Sequence, residues 1–112
     1  MFNTVKHVNV ESISRRDEYL NAPKLTEAEL KKAIEDSIAK IDKNIAYFDG
    51  KFPWSATKDL KYPIIENTDW TEGFWTGQLW LAYEYTQDEK YKNLALEHVV
   101  SFRHRLDNNI EL

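Results

Sequence analysis

The sequence has no cysteine, so it can form no disulfide, no thiolate metal site and no cysteine nucleophile. Its three glycines and three prolines are too few for a Gly-rich phosphate loop or a low-complexity tract. Basic charge is not in excess. The net charge of −4 argues against nucleic acid as a partner, because binding phosphates non-specifically needs a basic face. No apolar run approaches the roughly 18 residues of a membrane span. The opening MFNTVKHVNVESISRR lacks the continuous apolar stretch of a secretory leader. The expectations are therefore no nucleic acid, no membrane and a cytoplasmic location. What is present is 112 residues, 42% hydrophobic and 30% charged, the balance of at most one globular domain.

Periodicity divides the chain. Residues 1–24 are polar, with weak alternation at Val5, Val8 and Val10, and read as an N-terminal arm. A helix then opens at Thr26, which with Glu29 makes a capping box. Its apolar stripe is Leu30, Ile34, Ile38, Ile41, Ile45 and Phe48, at spacings of four and three. Lys32, Glu35, Asp36, Lys40 and Lys43 form its solvated face, and Asp49 with a left-handed Gly50 stops it. A long apolar loop follows over residues 51–67, with room for a short strand at 62–65. A second helix is expected over 71–85, with Asp69 and Glu72 as a cap pair, and a third over 88–106, capped by Asp88. The turn between them is short enough to make them neighbours. The third stripe is Tyr91, Leu94, Ala95, His98, Val99, Phe102 and Leu106.

The densest signal is NTDWTEGFWTGQLWLAYEYT at residues 67–86, with Trp70, Phe74, Trp75, Trp80, Tyr83 and Tyr85. Gly73 and Gly77 within it suggest close approach by another helix. A helix apolar on most sides belongs inside something larger. Trp75 and Trp80 read as core. Trp70, at the helix mouth, fits core packing and a wall for a sugar ring equally well. Glu66, Asp69 and Glu72 surround Trp70. A carboxyl against an aromatic wall can serve as an acid, but capping by first-turn acids is the commoner use. His98 and His104 are six apart and share no helix face, so they form no zinc pair. No serine sits in a nucleophile elbow. No residue stands out as catalytic and none as a metal ligand.

The same string resembles the N-terminal region of the unsaturated glucuronyl hydrolases, glycoside hydrolase family eighty-eight. LTEAELKKAIEDSIAKIDKNIAYF, the FP of Phe52 and Pro53, and DEKYKNLALEHVVSF share the likeness, which covers residues 8–112. The neighbouring unsaturated rhamnogalacturonyl hydrolases carry a looser form of it. The resemblance implies an all-α fold, with three helices forming the first part of an (α/α)6 barrel across 25–112, and no cofactor. It implies a parent enzyme that hydrates the C4=C5 bond of unsaturated uronyl oligosaccharides released by polysaccharide lyases. Trp70 and Phe74 match aromatics that line the family's substrate site. The family's two catalytic aspartates have no match here. One belongs to a D-H-H-D-x-G-F segment expected just beyond Leu112. The expectation is thus an N-terminal portion without activity alone, prone to self-association through uncovered apolar surface. The competing readings are a small helical interaction module without catalysis and a fragment of an unsaturated rhamnogalacturonyl hydrolase.

Overall fold

A computed structural model describes residues 10–110. Residues 1–9 of the N-terminal arm fall outside the described residues, and so do Glu111 and Leu112. Within the described part of the arm, Arg16–Leu20 forms one helical turn, α1, with no buried residue. α2 is Glu27–Phe48, α3 is Glu72–Thr86, α4 is Glu89–Ser101 and α5 is Arg103–Asp107. Two short strands, β1 (Phe52–Pro53) and β2 (Ile64–Ile65), pair antiparallel. The described residues are mostly helical, with five helical segments where three helices were expected, and β2 falls within the short strand allowed for at 62–65. No helix among the described residues is long and apolar enough to cross a membrane.

α2 starts where the capping box placed it. The Glu29 amide donates to the Thr26 hydroxyl at 3.2 Å, and the Thr26 amide donates to the Glu29 carboxylate at 2.8 Å. Its end uses two left-handed residues. Asp49 takes φ 48° as the cap and Gly50 follows at φ 77°, where a side chain would be strained. The apolar stripe becomes buried only toward that end. Ile41 and Phe48 are in the core, whereas Leu30 lies in solvent.

The long loop is a hairpin. Phe52 pairs with Ile65 and Pro53 with Ile64, the Trp54 amide donates to the Pro63 carbonyl at 2.9 Å, and Lys58 and Lys61 exchange both backbone bonds. Asp59 and Leu60 both take positive φ between them, the geometry a two-residue hairpin turn requires. The Tyr47 hydroxyl donates to the Tyr62 carbonyl at 3.1 Å and ties this hairpin to α2.

α3 and α4, joined by Gln87 and Asp88, make the most extensive contact between helices. Asp88 caps α4 by accepting the Lys90 amide at 3.0 Å. The expected third helix divides at Phe102. Ser101 donates its hydroxyl to the His98 carbonyl at 2.7 Å, competing with the backbone for that acceptor, and the helix bends before resuming as α5. The core joins Ile41, Phe48, Phe52, Trp75, Leu79, Ala82, Tyr91 and Ala95. Each fully buried large side chain contributes about 1.5–3 kcal/mol. Val99 and Leu106, expected on the inner stripe, are half exposed. Gly73 and Gly77 admit no close neighbour among the described residues. A Cβ built on either meets nothing within 4 Å, so the expected helix contact is not made here.

Candidate functional site

Trp70 lies in the turn just before α3, and Phe74 lies in the helix's first turn. Their rings meet edge to face at 6.1 Å and 77°. Trp70 is 71% exposed and Phe74 66%, so the pair is a surface and not part of the core. Trp75, the next aromatic, points the other way. It is buried against Phe48 in an edge contact at 5.4 Å. Phe74 also lines a cleft of about 430 Å³ between α2, the hairpin and α3, together with Trp54, Tyr62, Lys40 and Gln78. Trp70 lies outside that cleft's lining. Trp54 was not singled out in the sequence, although its place beside Phe52–Pro53 in a long apolar loop was the available signal.

The three carboxylates around Trp70 are each committed to structure. Glu66 pairs with Lys51 at the surface. Asp69 accepts the Trp70 amide at 2.7 Å and does not reach further into α3. Only half of the expected cap pair therefore forms: Glu72 reaches back to accept the Asp69 amide at 2.9 Å, while Thr71 occupies the cap position without a side-chain bond. Glu72 is fully buried. Its other oxygen lies 3.8 Å from Nη1 of Arg105, which is 4% exposed. Arg105 in turn donates to the Asp69 carbonyl. Asn67, also buried, donates through Nδ2 to the Ser101 hydroxyl at 2.9 Å. Sequence reasoning missed Arg105 entirely. The signal was its place seven residues after His98, on the buried side of the same helical face.

His98 is buried and lies tilted over Phe52 with ring centroids 4.4 Å apart. Burial pushes its pKa below the ordinary value, opposed in part by the Gly50 backbone and Glu97. His104 is exposed and contacts Asn108. Among the described residues no group of three or more acidic or histidine side chains is placed to hold a metal ion. The arrangement can offer an aromatic surface and a rigid turn. It offers no pair of free carboxylates.

No family profile matches the chain. Over 108 residues, 96% of its length, it is 45% identical to an unsaturated chondroitin disaccharide hydrolase of Streptococcus pneumoniae, and it covers 27% of that protein. A crystal structure of unsaturated glucuronyl hydrolase from Streptococcus agalactiae superposes with a TM-score of 0.89 at 48% identity, covering 94% of this chain and 28% of that one. A variant of the same hydrolase, complexed with dGlcA-GalNAc6S, matches with the same TM-score and identity. The chain spans about 27% of the length of the curated relatives it matches.

Proposed function

We propose that this chain, which belongs to the unsaturated glucuronyl hydrolase family, supplies the aromatic wall of such an enzyme's sugar site and takes no catalytic part alone. The observation that carries this reading is the exposed Trp70–Phe74 pair at the mouth of α3. Large apolar rings left in water cost free energy unless a ligand or partner covers them. A pyranose presents a flat C–H surface that an aromatic face covers well. Trp70 and Phe74 would bind and orient an unsaturated uronyl sugar. The residues that donate the proton and position a solvent water for hydration of the C4=C5 bond would be ones that this chain does not contain. α2, the hairpin, α3 and α4 would form the first units of an (α/α)6 barrel. Further helical hairpins would cover the open side of α3.

The test is a hybrid. This chain replaces its matching segment in the Streptococcus agalactiae hydrolase, and turnover of unsaturated chondroitin disaccharide is followed by loss of the double-bond absorbance. Activity in the hybrid, lost selectively on removal of the Trp70 ring, is the expected result. A well-folded hybrid indifferent to Trp70 and Phe74 would overturn the reading.

A further inference from the structure

The segment that carries Trp70 is a turn held from beneath by one buried ion pair. Arg105 donates to the carbonyl of Asp69, and Glu72 accepts from the amide of the same residue at 2.9 Å. The two side chains are themselves joined, Arg105 Nη1 to Glu72 Oε2 at 3.8 Å, and both are almost wholly out of solvent. Both backbone groups of Asp69 are therefore fixed by the two halves of one pair. The Asp69 carboxylate then takes the Trp70 amide at 2.7 Å, which passes that constraint to the next residue. Asn67 closes the start of the turn onto Ser101 at 2.9 Å.

We propose that Arg105 and Glu72 are positioning residues that set the bearing of the Trp70 ring by clamping the Asp69 backbone. The proposal rests on Trp70 being the stacking surface, and it assigns a task to residues more than thirty positions apart in the sequence. Energetics favour this over a plain stabilising role. A buried ion pair generally adds little net stability over apolar side chains of similar size, because desolvation offsets the attraction. Its specific product is geometry, since the rigid planar guanidinium fork lets Nη1 hold the Asp69 carbonyl while it faces Glu72 Oε2. An exposed ring such as Trp70 has no surrounding core to orient it, so its backbone must. A substrate-contacting group needs this kind of support from residues that do not touch substrate.

Arg105→Lys keeps the charge but loses the fork, and Glu72→Gln keeps the acceptor for the Asp69 amide but loses the charge. Both are made in this chain, labelled with fluorotryptophan, and the four tryptophan signals are assigned by single Trp→Phe changes. The expected result is a cooperative melt in each variant, with the Trp70 signal shifted or broadened and the Trp75 and Trp80 signals unmoved. If only one variant folds, that one decides. An unmoved Trp70 signal in a folded variant overturns the clamp. General loss of structure in both also overturns it, because the pair would then hold the fold and not the turn. In the hybrid enzyme, Arg105→Lys should raise KM by about tenfold, the loss of one charge-assisted hydrogen bond. If Trp70→Ala has no kinetic effect there, the stacking function fails, while the fluorine signals still judge the clamp on their own.

Discussion

Tyr91 of α4 donates its hydroxyl to Asp42 of α2 across 2.7 Å, joining helices that are 49 residues apart at this point. Lys90 lies 3.0 Å from the same carboxylate oxygen. Partial burial works against the charged Asp42, but the bonds from Tyr91 and Lys90 prevail and hold its carboxyl below the ordinary value. Burial and then Asp42 push the Tyr91 hydroxyl up. Tyr91→Phe keeps the ring in the core and removes only this bond. It should cost about 1 kcal/mol, since Lys90 remains to satisfy Asp42. Urea midpoints of the two proteins at neutral pH check this. No change would mean that the bond merely replaces an equivalent one to water.

His98 gives a pH dependence whose sign follows from its burial. The folded protein holds the ring below its ordinary pKa, so the unfolded chain binds a proton first as pH falls. The neutral-ring contribution is complete above about pH 6.5 and is lost as pH falls from there toward the depressed folded value. Stability should decline from about pH 7 to about pH 5 in the natural sequence. The decline should be shallower in His98→Gln, which does not titrate. Denaturation midpoints across that interval test it, and parallel slopes in both proteins would remove His98 as the cause. Asp42 affects the pH dependence only at lower pH: its stabilising share is present above the ordinary aspartate range and is lost as pH falls through and below it.

The fold was legible where local chemistry decides it. Thr26 and Glu29 announce the start of α2, Asp88 announces α4, and Asp49–Gly50 announces a left-handed stop, because caps are satisfied by residues four or fewer positions away. The hairpin was harder to read. Its turn uses Asp59 and Leu60, and a leucine at positive φ carries no turn signature. The division at Phe102 was hidden because Ser101 looks like an ordinary surface serine until its hydroxyl takes the His98 carbonyl. At the site, Trp70 and Phe74 were visible as aromatics at a helix mouth. The Arg105–Glu72 pair was not, because an arginine near the end of a helix is normally solvated. In three dimensions α5 closes onto the 67–71 turn, and Arg105 is buried against Asp69 and Glu72.

Alone, the chain should not turn over unsaturated chondroitin disaccharide. Glu66 is paired with Lys51, Asp69 with the Trp70 amide, and Glu72 is buried against Arg105, so none is free to protonate a sugar. Loss of the double-bond absorbance would be followed over long incubation at high protein concentration. Turnover that vanishes in Asp69→Asn would identify that residue as an acid after all.

In the hybrid enzyme, Trp70→Ala and Trp80→Ala should act on different quantities. Trp70 is exposed and lies outside the core, so its loss should lower kcat/KM by about tenfold or more, at least about 1.4 kcal/mol, with little change in melting. Trp80 packs against the core and meets Tyr83 edge to face at 6.3 Å. Its removal should cost up to about 3 kcal/mol of stability and leave the kinetics of the folded fraction near the parent value. Kinetic constants and urea midpoints on the same preparations separate the two. Equal kinetic losses in two well-folded variants would leave Trp70 without a binding role.

The chain by itself should associate with its own kind. Phe74, Gly77, Leu81 and Tyr85 follow one another at spacings of three and four, so they share one side of α3. Phe74, Leu81 and Tyr85 are 66%, 65% and 45% exposed; among the described residues, Leu81 borders α2 while Phe74 meets Trp70 and the cleft beside the hairpin, and none of the three is covered. The open glycines on this side leave room for another backbone to approach. α4 adds Leu96, Val99 and Val100, all substantially exposed. Apolar surface of this kind beyond a few hundred Å² marks an interface or an aggregation liability. The chain has no cysteine with which to offset a small core by disulfides. Light scattering across a dilution series should therefore show mass falling with concentration, and a dye for apolar surface should bind the dilute form. Leu81→Glu, which places a charge in the middle of the stripe, should shift the distribution toward monomer without lowering helix content. A strictly monomeric protein with a sharp melt and no dye binding would instead favour an autonomous helical module, with α3 needing no further hairpins to cover it.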